Sequence, residues 1–425
     1  MSSWRRRRTT CLSSRRDGEV NGPSHNRLVT LALQSLSSCE GGPCRHFADG
    51  MYETCMLPDA QAIPLLRGEG GSWRKYLPPV VPPFNFQIPG RRARAFFPPL
   101  KFFIRNVAGS LRRGDAAEAG RFAGVFSHFL GDFSEPAHYY ELDIGRLLPP
   151  PAHMTNCNFH VMIESIESTV RSLQHRPGLL GTSLAEVEFV LESRLAALHG
   201  RSVAAVVPMA RAIYARKNRN ASKVFNGVMR ESAEVLADFC HAAHCVARGK
   251  FPPAQVAGLR VFDLRRAEPE VCDVEFNFGQ RPLVDSITRK TCGRAEPLRL
   301  YRRRGRRKVA EEVAGICVIP HALPVAGVTF SATLMYRLPE GTYATLETTV
   351  GLLAGESRQA ACRFEVTADN RRLYRSRQFK PGEVAERLVL DLNGCRELGL
   401  AVYTDGSTDK LAYPIWGEPR LIKSL

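Results

Sequence analysis

The hydrophobic pattern of this chain changes its period near residue 256, and this change limits the fold more than any other feature. Before that point apolar residues recur three and four positions apart, as at Leu28, Leu31 and Ala32. After it they alternate with charged residues, as over 362–366. At 425 residues the chain is also too long for one ordinary core. We therefore predict a multi-domain α and β protein, an all-α helical bundle followed by an antiparallel β-sandwich.

Composition and turn signals suggest where the domains begin and end. Residues 1–20 form a basic tail rich in serine and threonine, which we predict to be disordered. Residues 21–255 form the helical domain, within which the proline-rich stretch 56–100 is predicted to be an extended surface excursion. Residues 256–284 are a linker or the first sandwich strands, and residues 285–425 form the sandwich.

Local signals predict the individual elements. Helices are expected over 100–111, 116–131, 158–173 and 222–247. A capping box at Ser183 and Glu186 begins one more helix, for which Gly200 is placed as the C-terminal stop. Strands separated by turn residues are expected near 298–301, 327–338, 343–353, 387–392 and 398–403.

The formal net charge of +17 favours anionic partners. It does not distinguish among phosphate esters, nucleic acid, acidic glycans and an anionic membrane surface. No run of 18 apolar residues occurs, so we predict no membrane-spanning helix. The 12 cysteines show no CxxC repeat, and most are predicted to be buried small hydrophobic residues.

The first residues contain no readable export signal. Trp4 is followed by four arginines, as in the basic start of such a signal. The apolar stretch that should come next is missing, because Thr9 to Asn21 is polar and charged. The compartment is therefore left open by these residues.

Two pairs of metal-ligand residues have helical spacing. His128 and Asp132 lie four residues apart, and so do His160 and Glu164. On a helix each pair points from one face, while His138 follows a proline-containing turn and approaches from another direction. Imidazole and carboxylate ligands together suit zinc, and a carboxylate can bridge two ions. The spacing predicts a metal site.

The segment His128-Phe-Leu-Gly-Asp132, followed by Pro136 and His138, resembles the ligand core of bacterial zinc-dependent phospholipases C. The related zinc-dependent single-strand nucleases carry a similar core. His160-x-x-x-Glu164 resembles the next ligand pair of the family. The resemblance covers about residues 20–250 and is specific at the motif. It implies a phosphodiester substrate, either phospholipid or nucleic acid, up to three zinc ions, and a protein that is usually exported.

The resemblance also implies how the ligands are shared. His138, His160 and Glu164 would hold one zinc ion, with every family side chain present. His128 and Asp132 would hold a second, and Asp132 would also bridge to the third. In this family the substrate phosphate bridges the clustered ions.

The remaining family positions are matched less fully. The early histidine corresponds to His25, and the first aspartate, implied as ligand and general base, corresponds to Asp59, with Asp49 as a competitor. The family's N-terminal tryptophan ligand is not apparent, since Trp4 lies inside the arginine-rich tail. The histidine expected next is replaced by Ser-Trp-Arg-Lys-Tyr, and we expect Tyr76 or a neighbour to occupy its place.

The second half resembles the NPCBM type of carbohydrate-binding module. The residues that carry this resemblance lie within 315–322, 334–338, 341–351, 362–374 and 398–402 and at Trp416. The resemblance implies a jelly-roll-like β-sandwich that binds glycans. Most of the matching residues are expected in the core: Tyr336, Phe364, Val366 and Trp416. Sugar contacts are expected from loops at one end, where we place His321 and Tyr343.

Two other polar clusters are weaker signals. Cys240, His241, His244 and Cys245 lie on one predicted helix but in directions that favour local packing over a metal site. The basic run from Arg302 to Lys308 has no interleaved aromatic residue, which favours a solvated loop over a nucleic-acid site.

Two functions from different classes fit these observations. One is a metal-dependent phosphoesterase, phospholipase C-like or nuclease-like, with the sandwich as its targeting module. The other is a non-catalytic glycan-binding protein in which a degenerate zinc site only stabilises the helical fold. The number of bound zinc ions discriminates between them.

Overall fold

The computed structural model describes the chain in separate stretches. They are residues 22–37, 44–58, 72–78, 92–137, 148–154, 162–163, 165–267, 269–274, 298–318, 330–404 and 412–423. Four of the predicted ligands, Asp59, His138, His160 and Glu164, lie outside them, as does His321.

The described part of the first half is helical. Its helices are α1 (Gly22–Leu36), α2 (Arg45–Thr54), α3 (Arg92–Arg112), α4 (Ala116–Ser134), α5 (Leu184–Tyr214), α6 (Asn218–Arg248) and the short α7 (Pro253–Gly258). Asp115 caps α4 by accepting a hydrogen bond from the backbone N–H of Glu118 at 2.9 Å. Gly249 ends α6 with a φ of +63°, a conformation that favours glycine. None of the described helices is both long and apolar enough to cross a membrane.

Helix α5 begins as predicted but is longer than predicted. The Ser183 hydroxyl accepts from the backbone N–H of Glu186 at 3.2 Å. The proposed stop at Gly200 is wrong, because the helix continues through Gly200 to Tyr214. A glycine inside a helix costs only about 1 kcal/mol. The buried Leu198 and Ser202 on either side keep this part of the helix in the core.

The helix predicted over 158–173 forms only in part: residues 162–163 are helical, whereas residues 165–173 contain no helix. Polar side chains of α6 satisfy the backbone there. Asn226 accepts from the Thr169 backbone N–H at 2.9 Å, and Asp238 accepts from that of Gly178 at 2.8 Å. These bonds replace those of a helix and hold the segment extended against α6.

The second half contains two antiparallel sheets and a hairpin. The strands are β1 (Val261–Asp263), β2 (Val271–Val274), β3 (Arg299–Arg304), β4 (Arg307–Glu312), β5 (Gly315–Cys317), β6 (Phe330–Arg337), β7 (Tyr343–Leu352), β8 (Cys362–Ala368), β9 (Arg371–Arg375), β10 (Glu386–Asp391), β11 (Glu397–Thr404) and β12 (Pro414–Lys423). The first sheet has the order β1-β12-β7-β10, with β5 also beside β12, and the second has the order β2-β6-β11-β8-β9. Strands β3 and β4 form the separate hairpin.

The two sheets share one apolar core. Trp416 of the first sheet meets Phe364 of the second with ring centroids 5.1 Å apart and planes at 89°. Tyr336 and Val366 are buried in the same cluster, so all four residues predicted as core are confirmed. The predicted helical bundle followed by an antiparallel β-sandwich is likewise confirmed. The predicted domain boundaries stay a prediction.

One aromatic side chain from the helical half enters the sandwich core. Phe189 of α5 lies 4.9 Å from Phe262 and 6.0 Å from Tyr343, measured between ring centroids. Tyr343 is only 1% exposed. Its expected place in a sugar-binding loop is therefore wrong, because Phe189 and Phe262 pack against its ring.

Candidate metal centre

Helix α4 supplies two of the candidate ligands. Of its 19 residues, 13 are buried, so most of its side chains are fixed by contacts with neighbouring helices, chiefly α2 and α3. His128 is fully buried, and the Asp132 side chain, one turn later, is 16% exposed. The predicted i, i+4 pair thus forms, and the distance from His128 Nε2 to Asp132 Oδ2 is 3.4 Å.

Helix α1 brings a third ligand to the same point. His25 is buried, and its Nε2 lies 3.4 Å from the other Asp132 oxygen, Oδ1. The imidazoles of His25 and His128 are stacked, with centroids 4.2 Å apart and planes at 18°. Ligand atoms of the three residues all lie within 4.8 Å of one another. Within the described part of the chain, this is the one such group of at least three histidine, cysteine or acidic residues.

Gly131 allows His25 to approach α4. A Cβ atom at this position would meet His25 Nδ1 at 2.6 Å and Cε1 at 2.7 Å, closer than real contacts allow. Any side chain here would therefore push the His25 ring away from Asp132. Gly131 is part of the sequence motif, although the spacing of the ligands gives no reason for a glycine there.

The tautomer of His128 is fixed by the backbone of α2. Its Nδ1 lies 2.8 Å from the carbonyl oxygen of Cys55, the residue that follows that helix. Because a carbonyl oxygen only accepts, Nδ1 carries the proton. In the neutral ring Nε2 then turns its lone pair toward Asp132, the arrangement in which a histidine binds a metal.

The donor set fits a zinc site. Each imidazole faces its own oxygen of Asp132 at 3.4 Å, which is longer than a charge-assisted hydrogen bond. Tetrahedral zinc with bonds of about 2.1 Å separates its ligands by about 3.4 Å. Burial alone raises the pKa of Asp132, but positive charge on the His128 and His25 imidazoles outweighs it and holds that pKa well below its usual value. A zinc ion between the three side chains would supply this positive charge in place of the imidazole protons. The carboxylate is therefore charged and able to bind a cation.

The space beside the cluster is small. A cavity of about 30 Å³ lies against His25, Asp132 and Glu135, with Phe225 and Met229 of α6 as its apolar wall. A cavity needs roughly 10–15 Å³ on this measure to hold a water molecule. The described residues thus leave room for an ion or a water.

Asp49 and Tyr76, both considered at the site, lie elsewhere. The Asp49 side chain is 63% exposed and pairs with Arg45 on its own helix. The Tyr76 hydroxyl donates to Glu118 at 2.6 Å. Glu118 lies ten residues before His128 on α4, about 15 Å along the axis. The expectation that Tyr76 replaces the missing histidine is wrong; the Trp73 side chain lies outside what the structure describes.

The side chains of the cluster in α6 make local contacts. His241 Nε2 lies 3.1 Å from the Gln255 side-chain oxygen and 3.8 Å from Cys245. Burial raises the pKa of the Cys240 thiol, which keeps it neutral. Of the seven described cysteines that are free, six are buried and Cys44 is exposed.

Comparison with known proteins identifies the domain in the second half. Residues 326–422 match the model of the NPCBM/NEW2 domain. The sandwich carries an NPCBM/NEW2 domain. The β3–β4 hairpin, over 299–312, lies before the matched residues. No curated protein sequence matches the chain significantly.

Several solved structures are similar to parts or most of the chain. Alpha-toxin from an avian strain of Clostridium perfringens matches 96% of this chain and 99% of its own, at 10% identity and a TM-score of 0.34. The CBM51 of C. perfringens GH95, in complex with methyl-galactose, matches 38% of this chain and 99% of its own, at 21% identity and a TM-score of 0.29. The CBM51-2 and INT domains of C. perfringens ZmpB match 38% of this chain, at 17% identity and a TM-score of 0.30. The match spans only 31% of that ZmpB chain.

Proposed function

We propose that the helical domain is a zinc-dependent phosphodiesterase and that the NPCBM/NEW2 domain directs it to glycans. The observation that carries this proposal is the convergence of His25, His128 and Asp132 from α1 and α4. Two buried imidazoles and a partly exposed, charged carboxylate at metal-ligand spacing suit a cation better than an apolar core.

The chain's own residues prepare this site for a cation. The Cys55 carbonyl holds the His128 ring so that Nε2 faces Asp132. Gly131 leaves space for the His25 ring on the other side. Asp132 offers one oxygen to each ring, as a carboxylate shared between two ions would. Zinc bound there would polarise a phosphoryl oxygen and lower the pKa of a bound water.

The sequence motif supplies the remaining parts of the proposal. His138, His160 and Glu164 would form a second ligand group, and Asp59 would act as ligand and general base. The substrate is a phosphodiester, either a phospholipid headgroup or nucleic acid. The net charge of +17 suits either of these anions.

One observation favours the second candidate, a glycan-binding protein whose zinc site is degenerate. Where the family has a further histidine, this chain has Lys75 and Tyr76, and both bind Glu118 away from the cluster. A zinc ion bound with fewer side chains is held more weakly. In this case the helical half would serve as a stable support for the sandwich.

Zinc content and hydrolysis, measured together, separate the two candidates. The purified full chain is assayed for zinc by mass spectrometry, then for hydrolysis of bis-p-nitrophenyl phosphate, phosphatidylcholine and single-stranded DNA. We expect two or three zinc ions and hydrolysis that falls at least 100-fold in His128→Ala and Asp132→Asn. Asp49→Asn, which removes an exposed carboxylate, is the control and should retain both the bound zinc and the hydrolysis.

One zinc or none, with no hydrolysis of any of the three substrates, would favour the glycan-binding protein instead. Hydrolysis that survives in Asp132→Asn would overturn the assignment of this cluster as the reaction centre.

A further inference from the structure

The β3–β4 hairpin concentrates positive charge in a way that the fold itself does not need. Arg303 faces Lys308 and Arg304 faces Arg307 directly across the two strands. Like charges in directly opposed positions destabilise a sheet. The charge of Arg304 is compensated by an ion pair with Glu311, whereas Arg307 has no ion pair among the described residues. A feature that weakens its own strand pairing is expected to have another role.

The hairpin is fixed on the outer face of the first sheet. Leu300 is fully buried and fills the space above two glycines of the sheet. A Cβ at Gly351 would lie 3.1 Å from Leu300 Cδ2, and one at Gly417 would lie 3.1 Å from Leu300 Cδ1. Leu300 belongs to a small separate core with Leu298, Val313, Cys317, Leu353 and Ile415. The basic side chains are thus held in a defined position.

A polar groove of about 350 Å³ lies between the hairpin and this face of the sheet. Four arginines and two glutamates are among its lining residues: Arg302, Arg303, Arg387, Arg420, Glu347 and Glu418. Arg302 pairs with Glu418 at 3.0 Å and Arg387 pairs with Glu347 at 3.6 Å. Arg303 and Arg420 are exposed and have no ion pair among the described residues. The lining residues therefore carry two more positive than negative charges, although Arg420 also lies opposite Glu347 and Asp263 on the neighbouring strands.

The chemistry of this groove selects its ligand. None of the described residues that line it is aromatic, so it offers no ring face on which a neutral sugar would stack. The two unpaired guanidinium groups fit carboxylate or sulfate groups. The carboxylates of Glu347 and Glu418 accept hydrogen bonds, as sugar hydroxyls require. A lipid surface is too flat to enter a groove.

We propose that this groove and the adjoining hairpin bind an acidic glycan, a polysaccharide that carries carboxylate or sulfate groups. The groove accepts the charged sugar between Arg303 and Arg420, while Arg306 and Arg307 extend the positive surface along the chain of sugars. The volume lies in the lower part of the range for small-molecule pockets, which suits a short stretch of a long polymer. This proposal deepens the glycan-binding part of the proposed function and does not depend on the metal centre.

The test is binding of the full chain to chondroitin sulfate and polygalacturonate by isothermal titration calorimetry. Dextran and galactan serve as neutral probes, and vesicles of phosphatidylserine and phosphatidylcholine serve as anionic membranes. The double variant Arg303→Gln/Arg420→Gln removes the two unpaired charges. The control Arg358→Gln/Arg363→Gln removes two exposed arginines elsewhere on the sandwich. Thermal unfolding checks that both variants remain folded.

We expect the affinity for an acidic glycan to fall at least tenfold in Arg303→Gln/Arg420→Gln, the groove variant. In the control variant the affinity should stay within about twofold of the wild-type value. Binding should also weaken as salt is raised. Equal losses of affinity in both variants would mean that only net charge attracts the polymer. This result would overturn the proposal that the groove is the binding site.

Binding of neutral glycans that neither variant changes, without binding of acidic ones, would overturn this proposal and leave the general glycan function standing. Absence of binding to any glycan would contradict both this proposal and the general glycan function. Vesicle binding that is lost only in the groove variant, with no glycan bound, would assign the surface to anionic membranes instead.

Discussion

Nδ1 of His128 lies 2.8 Å from the carbonyl oxygen of Cys55, and this contact joins helix α4 to the end of helix α2. The ring proton therefore stays on Nδ1, and the other nitrogen faces Asp132. A backbone group 73 positions away along the chain thus determines how a candidate ligand is presented. Side-chain motifs do not encode such a partner, although it orients the ligand as carboxylates and carbonyls do around known metal sites.

The two ligand groups should release zinc differently. We predict that Glu164→Ala removes the tightly held ion, because its group with His138 and His160 has every expected side chain. His128→Ala should remove the ion that a chelator already extracts first. Titration with a chelator while counting bound zinc should show two classes in the wild type and one in each variant. Identical release curves for the two variants would contradict this division; Asp49→Asn should retain both classes.

Gly131 should be intolerant of a side chain for a steric reason. In Gly131→Ala the new methyl group would collide with the His25 ring, which must move away from Asp132. We predict loss of zinc from this group and a decrease in unfolding free energy of roughly 1–3 kcal/mol, measured by urea titration. Gly227→Ala is the matched control, since a Cβ there has no neighbour within 4 Å. It should stabilise the protein by about 0.5–1 kcal/mol.

His175 should make the stability of the chain depend on pH. Its Nε2 lies 2.7 Å from Asp238 Oδ1, and this hydrogen bond raises the pKa of His175 although burial opposes the change. A pKa raised in the folded state means that the charged ring stabilises the fold. This contribution is complete below the unfolded value of about 6.5 and is lost as pH rises through the folded pKa.

Urea titrations at several pH values should show this effect. The difference in unfolding free energy between wild type and His175→Gln should be largest near pH 5.5 and shrink by about pH 8.5. A difference that grows with increasing pH would have the wrong sign and would refute the assignment.

Hydrophobic periodicity predicted the elements whose own residues decide their structure. Helix α6 and strand β8 are examples, because burial of one face imposes a period on the sequence. It failed for residues 165–173, where the deciding partner is Asn226 of a distant helix. It also failed at Gly200, since contacts on both sides outweigh the preference of one residue.

The residues of the candidate site also differ in how well the sequence predicted them. The spacing of His128 and Asp132 was sufficient to place both on one helical face. The family resemblance added His25. The position of its ring depends on how α1 packs on Gly131. Tyr76 was misplaced because its partner Glu118 is fixed by the start of α4, which no local pattern near Tyr76 reveals.

Phe189 should couple the two halves of the chain. It lies on helix α5 but packs on Phe262 and Tyr343 in the sandwich core. We predict that Phe189→Ala lowers the unfolding free energy by roughly 3–5 kcal/mol, since it empties a buried aromatic site. Because that site lies between the halves, the loss should weaken their attachment as well as each core.

Hydrogen exchange followed by mass spectrometry can locate this effect. In Phe189→Ala, exchange should quicken in strands β1 and β7, which carry the two aromatic partners. Phe103→Ala is the control, because Phe103 is also buried but contacts Phe126 and Phe129 within the helical core. Phe103→Ala should lower the unfolding free energy by a similar amount and quicken exchange in α3 and α4 only. Unchanged exchange of β1 and β7 in Phe189→Ala would show that this contact does not hold the sandwich to the helices.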